Sequence, residues 1–407
     1  MSPTPVTFTL PTAPPGYAWE ATSEAVAERY GIPIDQIARF DLNTAPAAPE
    51  TAVRILAAGR LDTPLSEYPP SDYRRLAAAA AARYAVNPDE VLVGAGADEI
   101  LDIVAKAFLP ANGSAVVPSP TYAMYRILTE QRPASVIAVP RLGQAAGYAL
   151  DLPAVRTAAS SADLVWLCSP NNPTGLPEPE GAIEELLGHL AGDASAAGRP
   201  APAVVLDEAY AEFVGTSLVR LRDKYPRLVV VRTLSKAYAL AGLRVGFAIA
   251  RPETIAAIAP YRPPGSVSVV SVSIAAEVLE DPDILDGTLG RTIAERERVA
   301  VGLRAAGWLV GRSVTNFLLV DLDTPERAAA VAEALLSRGL VPRTFGPRHP
   351  LVAHLRITVR DTEQDDRLIA AALELGSAPD LGSARDLGSA PDLGSVRDLG
   401  SAPETPG

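Results

Sequence analysis

The sequence predicts an α/β fold with one large, mainly parallel sheet, followed by a smaller α+β domain. Short runs of apolar, often β-branched residues recur along the first 260 residues, and helical segments separate them. Such runs are typical of parallel strands that helices cover on both faces. The segment Pro263-Pro264-Gly265 then interrupts this pattern, and the strands predicted after it surround a helix. The interruption indicates a second domain.

The predicted elements divide the chain into four segments. An N-terminal arm spans residues 1–45, the large α/β domain spans 46–260, and the small α+β domain spans 261–375. The arm is too short to bury a core of its own, so we expect it to pack on the small domain or across a dimer interface. From 376 to 407 a six-residue repeat of the type LGSAPD offers almost no apolar surface, and we expect this tail to be disordered.

The apolar runs and the helical periodicity place the individual elements. Strands are predicted at 91–93, 115–117, 135–139, 164–168, 204–206 and 228–231, with a further apolar run at 245–250, and in the small domain at 316–320, 340–341 and 354–359. Helices are predicted at 20–29, 71–84, 97–108, 183–190, 271–279, 292–306 and 326–338.

Composition and charge exclude several classes of function. The net charge of −12 disfavours a nucleic acid or an anionic membrane as partner, because both bind a basic face. No apolar run approaches the ~20 residues of a membrane span, and the first residues lack the pattern of a secretory signal. The single cysteine, Cys168, excludes an intrachain disulfide and a cysteine-rich metal site. We therefore expect a cytoplasmic protein that binds no metal.

Lysine is rare in this chain, which makes one of its lysines conspicuous. Among 36 Lys and Arg residues, only Lys106, Lys224 and Lys236 are lysines. Lys106 lies on a helix and Lys224 in a polar turn, whereas Lys236 follows the predicted strand at 228–231. Lysine can form a Schiff base with an aldehyde and arginine cannot. We therefore predict that Lys236 holds pyridoxal 5'-phosphate (PLP).

Polar residues follow several other predicted strands, at the edge of the sheet where ligands bind. Asp207 comes directly after Val-Val-Leu, where a buried carboxylate is costly unless it meets a cation such as a protonated pyridine nitrogen. Its alternative role is that of a helix N-cap. The Asn172 amide is suited to donate to a ring hydroxyl of a cofactor, and its alternative role is in a turn. Tyr122 is suited to stack on a cofactor ring, and its alternative role is packing in the core.

Two further groups of residues suit the phosphate of the cofactor. Gly96-Ala97-Asp98 opens a helix after a strand, which leaves free N–H groups and the positive end of the helix dipole, although such turns also occur without a ligand. Arg244, together with Thr233 and Ser235, is placed to close on a phosphate dianion.

Six motifs in this chain resemble those of a known family. SPNNPTG, VVLDEAY and RTLSKAYALAGLRVGF resemble the class I and II aminotransferases of PLP fold type I. VGAGADE, PTYAMYR and LRITV are similar to the histidinol-phosphate aminotransferase branch of that family. The likeness extends from about Asp41 to Leu375, and the motifs occur in the family's order. It implies the fold of the PLP-dependent transferases of type I, PLP as cofactor and a homodimer.

The resemblance also implies a role for each matching residue. Lys236 would form the internal aldimine and move the proton. The other roles are Asp207 at the pyridine nitrogen, Tyr122 on the ring, Tyr210 and Asn172 at the ring oxygen, Ala97, Asp98, Ser235 and Arg244 at the phosphate, Tyr68 from the partner subunit, Arg356 at the α-carboxylate of glutamate, and Arg343 near the phosphate of the substrate. Asn43-Thr44-Ala45-Pro46 stands where the family usually has Asn-Glu-Asn-Pro, a segment that helps to form the substrate pocket. This position makes Asn43 a candidate substrate-binding residue.

The predicted reaction is reversible amino transfer from glutamate to a keto acceptor, with imidazole-acetol phosphate as the first choice and histidinol phosphate as its product. Two alternatives share the scaffold: an aromatic amino-acid transaminase, which has no need of Arg343, and a PLP-dependent decarboxylase of an amino-acid phosphate. A PLP-binding protein without turnover is a third alternative, which the complete set of catalytic residues disfavours.

Overall fold

The structure is a computed structural model that describes residues 14–376. Its helices are α1 (Ser23–Tyr30), α2 (Glu50–Ala58), α3 (Arg74–Tyr84), α4 (Gly96–Phe108), α5 (Ala123–Gln131), α6 (Leu152–Ala159), α7 (Ala182–Ala196), α8 (Pro252–Ile258), α9 (Val269–Glu280), α10 (Asp286–Ala305), α11 (Pro325–Leu336) and α12 (Thr362–Gly376). Its strands are β1 (Ala38–Arg39), β2 (Val91–Gly94), β3 (Ser114–Ser119), β4 (Ser135–Pro140), β5 (Leu164–Cys168), β6 (Ala203–Asp207), β7 (Leu228–Thr233), β8 (Gly246–Ile249), β9 (Leu309–Val310), β10 (Phe317–Asp321), β11 (Leu340–Val341) and β12 (His354–Thr358). The repeat tail predicted at 376–407 lies outside the described residues, apart from Gly376 at the end of α12.

The centre of the large domain is a seven-stranded sheet with the strand order β2-β8-β7-β6-β5-β3-β4. Strands β3 to β7 pair in parallel, as predicted, whereas β8 runs antiparallel to both β7 and β2. Only about a dozen residues separate the end of β7 from β8, and this connection forms a loop and one short turn rather than a crossover helix. The chain therefore reverses beside β7, and the loop that reverses it carries Lys236.

Helices cover both faces of this sheet, which agrees with the continuous apolar strands. Val165 and Leu167 of β5 contribute to a core with α3, α6, α7 and α9, whereas Leu164 and Trp166 contribute to a core with α4, α5 and α8. Successive residues of a strand point to opposite faces, so each strand supplies both cores. Trp166 is fully buried, and its ring stacks on that of Tyr125 at 5.3 Å.

The small domain packs α10, α11 and α12 on a three-stranded antiparallel sheet with the order β12-β10-β9. The N-terminal arm joins this domain within the same chain: β1 pairs in parallel with β11, and Phe40 lies in the small-domain core. One of the two packing arrangements expected for the arm is thus observed.

The structure differs from the predicted boundary at 260 in one respect. Helix α9 buries most of its residues in the core that the large sheet shares with α3, so the chain enters the small-domain core only after α9. The assignment of 261–375 to the small domain followed from Pro263-Pro264-Gly265, and these residues mark a turn before α9 rather than the change of core. Helix α3 also begins three residues later than predicted, because Tyr73 before it adopts a left-handed φ of 47°.

Candidate active site

Lys236 lies in the loop after β7, at the carboxyl edge of the large sheet. Its side chain is partly buried, and Nζ donates to the main-chain oxygen of Asn43 at 3.3 Å and to that of Leu42 at 3.5 Å. Burial lowers the pKa of the Lys236 amine to about 8, and the nearby Arg356 guanidinium contributes in the same direction. An appreciable fraction of this amine is therefore neutral near pH 7 to 8, as a nucleophile or a proton acceptor requires.

Asp207 ends β6 next to the strand that leads to Lys236, and it is only 4% exposed. Its carboxylate accepts hydrogen bonds from the Tyr125 hydroxyl at 2.8 Å and from the main-chain N–H of Ala209 at 2.9 Å. Burial raises the pKa of Asp207 to about 6. Within residues 14–376 this carboxylate has no ion-pair partner. A buried anion without a cation fits a ligand that brings its own positive charge, as the protonated pyridine nitrogen of PLP would.

Beside Asp207, the start of α4 and the loop before β8 form a site that is suited to bind an anion. Gly96 has a φ of +82°, and a Cβ on it would lie 2.9 Å from Cζ of Arg244. The Arg244 guanidinium thus packs on the backbone that opens α4, where the first N–H groups have no partner within the helix. Arg244 Nη2 also lies 3.2 Å from Asp98 Oδ2. The arginine and the N–H groups suit the phosphate, and the Asp98 carboxylate serves to hold the arginine.

The two hydroxyl residues before Lys236 are buried and face each other. The Thr233 hydroxyl lies 3.0 Å from the Ser235 hydroxyl and 3.1 Å from the main-chain oxygen of Val245. The Ser235 N–H donates to Thr233 Oγ1 at 3.2 Å. These bonds fix the shape of the loop that carries Lys236, and they place Thr233 in a supporting position. The direct role of Ser235 toward a phosphate remains a prediction.

Tyr122 lies where the first turn of α5 meets α4. Its hydroxyl donates to Asp98 Oδ1 at 2.9 Å, and its ring centroid lies 6.3 Å from that of Tyr17. Tyr17 belongs to the N-terminal arm, and the Arg343 guanidinium lies 5.2 Å above its ring. Tyr17 was not among the residues predicted from the sequence. Its ring contacts the nearby Trp19, at 4.8 Å between centroids, but Tyr122 and Arg343 lie more than 100 and more than 300 positions away, and no local pattern marks such contacts.

On the opposite side, β12 and the loop after β5 meet. Arg356 is 6% exposed; its Nη1 donates to Asn172 Oδ1 at 2.8 Å and its Nη2 donates to the main-chain oxygen of Asp41. Its Nε has no hydrogen-bond partner among the described residues, and burial lowers the pKa of the guanidinium. A buried arginine with a free donor is suited to an anionic ligand.

Arg343 is bound by the N-terminal arm. Its Nη1 donates to the main-chain oxygen of Ala18 at 2.7 Å and lies 3.6 Å from Glu20 Oε1, while its backbone pairs with that of Arg356. Arg343 therefore lies close to Arg356, but its side chain contacts Ala18 and Glu20. Its predicted role toward a substrate phosphate remains a prediction.

The structure does not bring Tyr68 into the site of its own chain. Its side chain is 89% exposed and its ring lies near Gly265, on the surface. The remaining candidates assemble around Lys236. Tyr210 has its ring centroid 5.9 Å from Lys236 Nζ, and the Asn43 amide donates to the Tyr210 hydroxyl at 2.9 Å.

Comparison with known proteins identifies the family of this chain. Residues 40–371 match the family described as aminotransferase class I and II. The chain is 36% identical over 361 residues to a histidinol-phosphate aminotransferase of Roseiflexus castenholzii, covering 86% of this chain and 93% of that protein. It is 37% identical to that of Thermococcus gammatolerans, covering 74% and 80%.

A solved structure is similar as well. The crystal structure of histidinol-phosphate aminotransferase from Sinorhizobium meliloti in complex with pyridoxal-5'-phosphate superposes with a TM-score of 0.77 at 25% identity, covering 88% of this chain and 95% of that one. Among residues 14–376, none of the helices has the length and apolar character that a membrane crossing requires.

Proposed function

Because the chain belongs to the aminotransferase class I and II family, we propose that this PLP-dependent aminotransferase transfers an amino group between glutamate and imidazole-acetol phosphate, forming 2-oxoglutarate and histidinol phosphate reversibly. The observation that carries this choice of substrate is the identity of 36% and 37% with two proteins named histidinol-phosphate aminotransferase, over most of the chain. The buried Arg356 beside Lys236 supports the proposal, because both partners of the exchange are anions.

The residues at the sheet edge fit PLP. Asp207 would pair with the pyridine nitrogen of PLP, and the start of α4 would bind its phosphate together with Arg244. Tyr122 would contact the ring of PLP. Tyr210 and Asn172 would contact its ring oxygen. Bound PLP supplies an electron sink for the carbanion that deprotonation of the substrate leaves. Lys236 then takes and returns a proton through Nζ, for which a pKa of about 8 is well matched.

Arg356 and Arg343 are the proposed anion-binding residues. Arg356 donates to Asn172 and to the main-chain oxygen of Asp41 through its two Nη atoms, and its buried guanidinium is the cation that we propose for the carboxylate of glutamate. Arg343 forms an isolated β-bridge with Arg356 and would meet the substrate phosphate once it leaves the Ala18 oxygen. The keto acceptor carries a phosphate and glutamate does not, so a second arginine is suited to the acceptor.

We further propose a homodimer in which Tyr68 serves the site of the partner. Large apolar side chains are exposed on α2 and the loop after it, with Val53 at 55%, Leu56 at 62% and Leu65 at 74%. Clustered exposure of this kind is typical of a surface that another chain covers. We also propose a cytoplasmic location, which a single buried cysteine supports because cytosolic proteins keep their thiols reduced.

Half-reactions of the PLP-loaded enzyme test the substrate. L-Glutamate, histidinol phosphate, phenylalanine and O-phosphothreonine are added separately while the visible absorbance of the cofactor and the keto acid formed are followed. We expect conversion with glutamate and histidinol phosphate. Conversion with phenylalanine but not with histidinol phosphate would indicate an aromatic amino-acid transaminase instead. Release of carbon dioxide from O-phosphothreonine without a keto acid would indicate a decarboxylase.

A further inference from the structure

Asn43 uses every polar group it has, and its partners come from both domains. Its N–H donates to Thr358 Oγ1 at 2.9 Å, and its Oδ1 accepts from the same hydroxyl at 3.1 Å. Its Nδ2 donates to the Tyr210 hydroxyl at 2.9 Å. Its main-chain oxygen accepts from Asn316 Nδ2 at 3.0 Å and from Lys236 Nζ at 3.3 Å. The residue is 1% exposed, so little of it is available to a substrate.

The backbone of Asn43 makes this arrangement possible. Its φ of 53° lies in the left-handed region, which asparagine tolerates better than other residues with a side chain. In this conformation the carbonyl meets Lys236, while the carboxamide meets Tyr210 on the large domain and Thr358 on the small domain. Arg356 fixes the same segment through the main-chain oxygen of Asp41.

We propose that Asn43 is a positioning residue rather than a substrate-binding residue: its carboxamide fixes the direction of the Tyr210 hydroxyl, and its main-chain oxygen holds the Lys236 amine. This inference rests on the proposed function, because it assigns the Tyr210 hydroxyl to the ring oxygen of PLP. A hydroxyl that accepts from the carboxamide N–H of Asn43 keeps its own proton for another acceptor. It is then a stronger donor to an oxygen of a bound ligand.

The test uses substitutions that separate the carboxamide from the backbone. N43G keeps the left-handed φ and the carbonyl but removes the side chain. N43D keeps the shape and the acceptor for Thr358 but has no N–H for Tyr210. N112G is the matched control, because Asn112 also has a left-handed φ, of 62°, but lies exposed ahead of β3 at the other end of the strands.

The measurement is the pH midpoint of the change in visible absorbance of bound PLP, without substrate. We expect N43G to raise this midpoint by roughly half to one pH unit, the size of one lost hydrogen bond, because a weaker donor stabilises the ionised ring oxygen less. N43D should raise it at least as far, because the carboxylate that it adds also favours the protonated form. The charged groups around Lys236 in this chain, Arg356, Arg244, Asp98 and Asp207, are the same in N43G. N112G should leave the midpoint unchanged.

A second substitution establishes whether the effect passes through Tyr210. In the Y210F background, N43G should cause no further shift, because the hydroxyl that Asn43 orients is gone. An equal shift in both backgrounds would overturn the proposal. The proposal would also be wrong if the midpoint were unchanged while KM for glutamate or histidinol phosphate rose more than about tenfold. That result would indicate that Asn43 binds the substrate. Should N43G fail to fold, N43D is compared in the wild-type and Y210F backgrounds. The charge that N43D adds acts in both backgrounds, so a difference between the two shifts reports the lost N–H to the Tyr210 hydroxyl.

Failure of the proposed function would look different. If the wild-type enzyme gives no response to histidinol phosphate, the choice of substrate is wrong. The substrate-free midpoints of N43G, N43D and Y210F still test the role of Asn43, since none of these measurements uses the acceptor.

Discussion

Two neighbouring carboxylates at the end of β6 are buried in opposite electrostatic environments. Glu208 accepts from Arg232 Nη1 at 2.8 Å, from Ser217 Oγ at 2.5 Å and from the Leu218 N–H at 2.7 Å, and the same arginine reaches Glu212 at 2.6 Å. Asp207, one residue earlier, accepts from the hydroxyl of Tyr125 and from one main-chain N–H. In the part of the chain that the structure describes, Glu208 is ion-paired with Arg232, whereas Asp207 forms no ion pair.

We propose that this difference separates residues that stabilise the fold from residues that bind a ligand. A buried charge is stable when the fold supplies its partner, and Arg232 supplies it for Glu208 and Glu212. An uncompensated charge costs free energy in the ligand-free protein, and a ligand of opposite charge removes that cost on binding. Asp207 and Lys236 both belong to this second class, since burial shifts the pKa of each toward its neutral form.

The largest effect on turnover is expected from replacing Lys236, whose charge the fold does not compensate. K236A removes the amine that we propose attaches to PLP and moves the proton, so turnover should fall by more than about a thousandfold. The visible absorbance of the lysine-bound cofactor should disappear, while the free energy of unfolding of the cofactor-free protein should not decrease. Spectra and turnover of purified protein check this.

K224A is the matched control for that prediction. Lys224 is an exposed lysine that lies 3.4 Å from Glu184, so its replacement should leave spectrum and turnover unchanged. If K236A keeps the wild-type spectrum, the assignment of the cofactor lysine is wrong.

Replacing Arg232, the cation that pairs with Glu208 and Glu212, should lower the free energy of unfolding. R232M leaves Glu208 and Glu212 buried without their cation, and the free energy of unfolding should decrease by roughly 3–5 kcal/mol. Urea denaturation at a fixed protein concentration measures it, with and without PLP. The control R156M breaks an ion pair with Asp193 that is about half exposed and should cost less than about 1 kcal/mol. Equal losses in both variants would refute the distinction between the two carboxylates.

The sequence predicted the strand ends well because they follow from local pattern. Apolar runs placed β5, β6 and β7 within a residue or two, and so placed Asp207 and Lys236 at one edge of the sheet. Strand direction was harder: β8 is as apolar as its parallel neighbours, and only the short connection after β7 indicates its reversal. Helices α2, α5, α6, α8 and α12 were not predicted.

The partners of the site residues were not predictable in the same way. The Tyr125 hydroxyl reaches Asp207 across 82 positions, and the Asn43 N–H reaches Thr358 across 315. Such contacts depend on how the two domains and the arm pack, and no periodicity in the sequence encodes them. Asn43 was accordingly predicted as a substrate-binding residue on the basis of its segment alone, whereas its contacts favour a positioning role.

Neutralising Asp207 should have opposite effects with and without the cofactor. The folded-state pKa of Asp207 is raised from 3.8 to about 6, so the native state holds an extra proton between these values and stability is lost as pH rises through that window. D207N removes this loss, and at pH 7 the cofactor-free variant should be more stable than wild type by roughly 1–3 kcal/mol. Near pH 3.5 the two should be nearly equal. Thermal or urea unfolding at both pH values measures this.

With PLP the same substitution should be harmful. D207N cannot offer a carboxylate to the pyridine nitrogen, and turnover should fall by roughly ten- to a hundredfold, the size of one charged hydrogen bond. D102N, in α4, is the control, because Asp102 pairs with Lys106 near the surface. A D207N protein that is less stable than wild type at pH 7 without PLP would show that the carboxylate is structurally compensated after all.

The smallest effect is expected from the hydroxyl that partly stabilises the Asp207 carboxylate. Y125F removes one of its two hydrogen-bond donors, and hydrogen bonds to the ionised form lower the pKa of a carboxyl group. In the cofactor-free protein the pKa of Asp207 should therefore rise further above about 6, and the pH window in which unfolding stability declines should extend upward by roughly half to one unit. Urea unfolding of the cofactor-free proteins across this pH range measures it. Y225F is the control, because the Tyr225 hydroxyl contacts the Glu184 carbonyl, at 3.4 Å, away from the site. A pH window that moves equally in both variants would mean that Tyr125 acts through packing, and that its hydroxyl does not set the ionisation of Asp207.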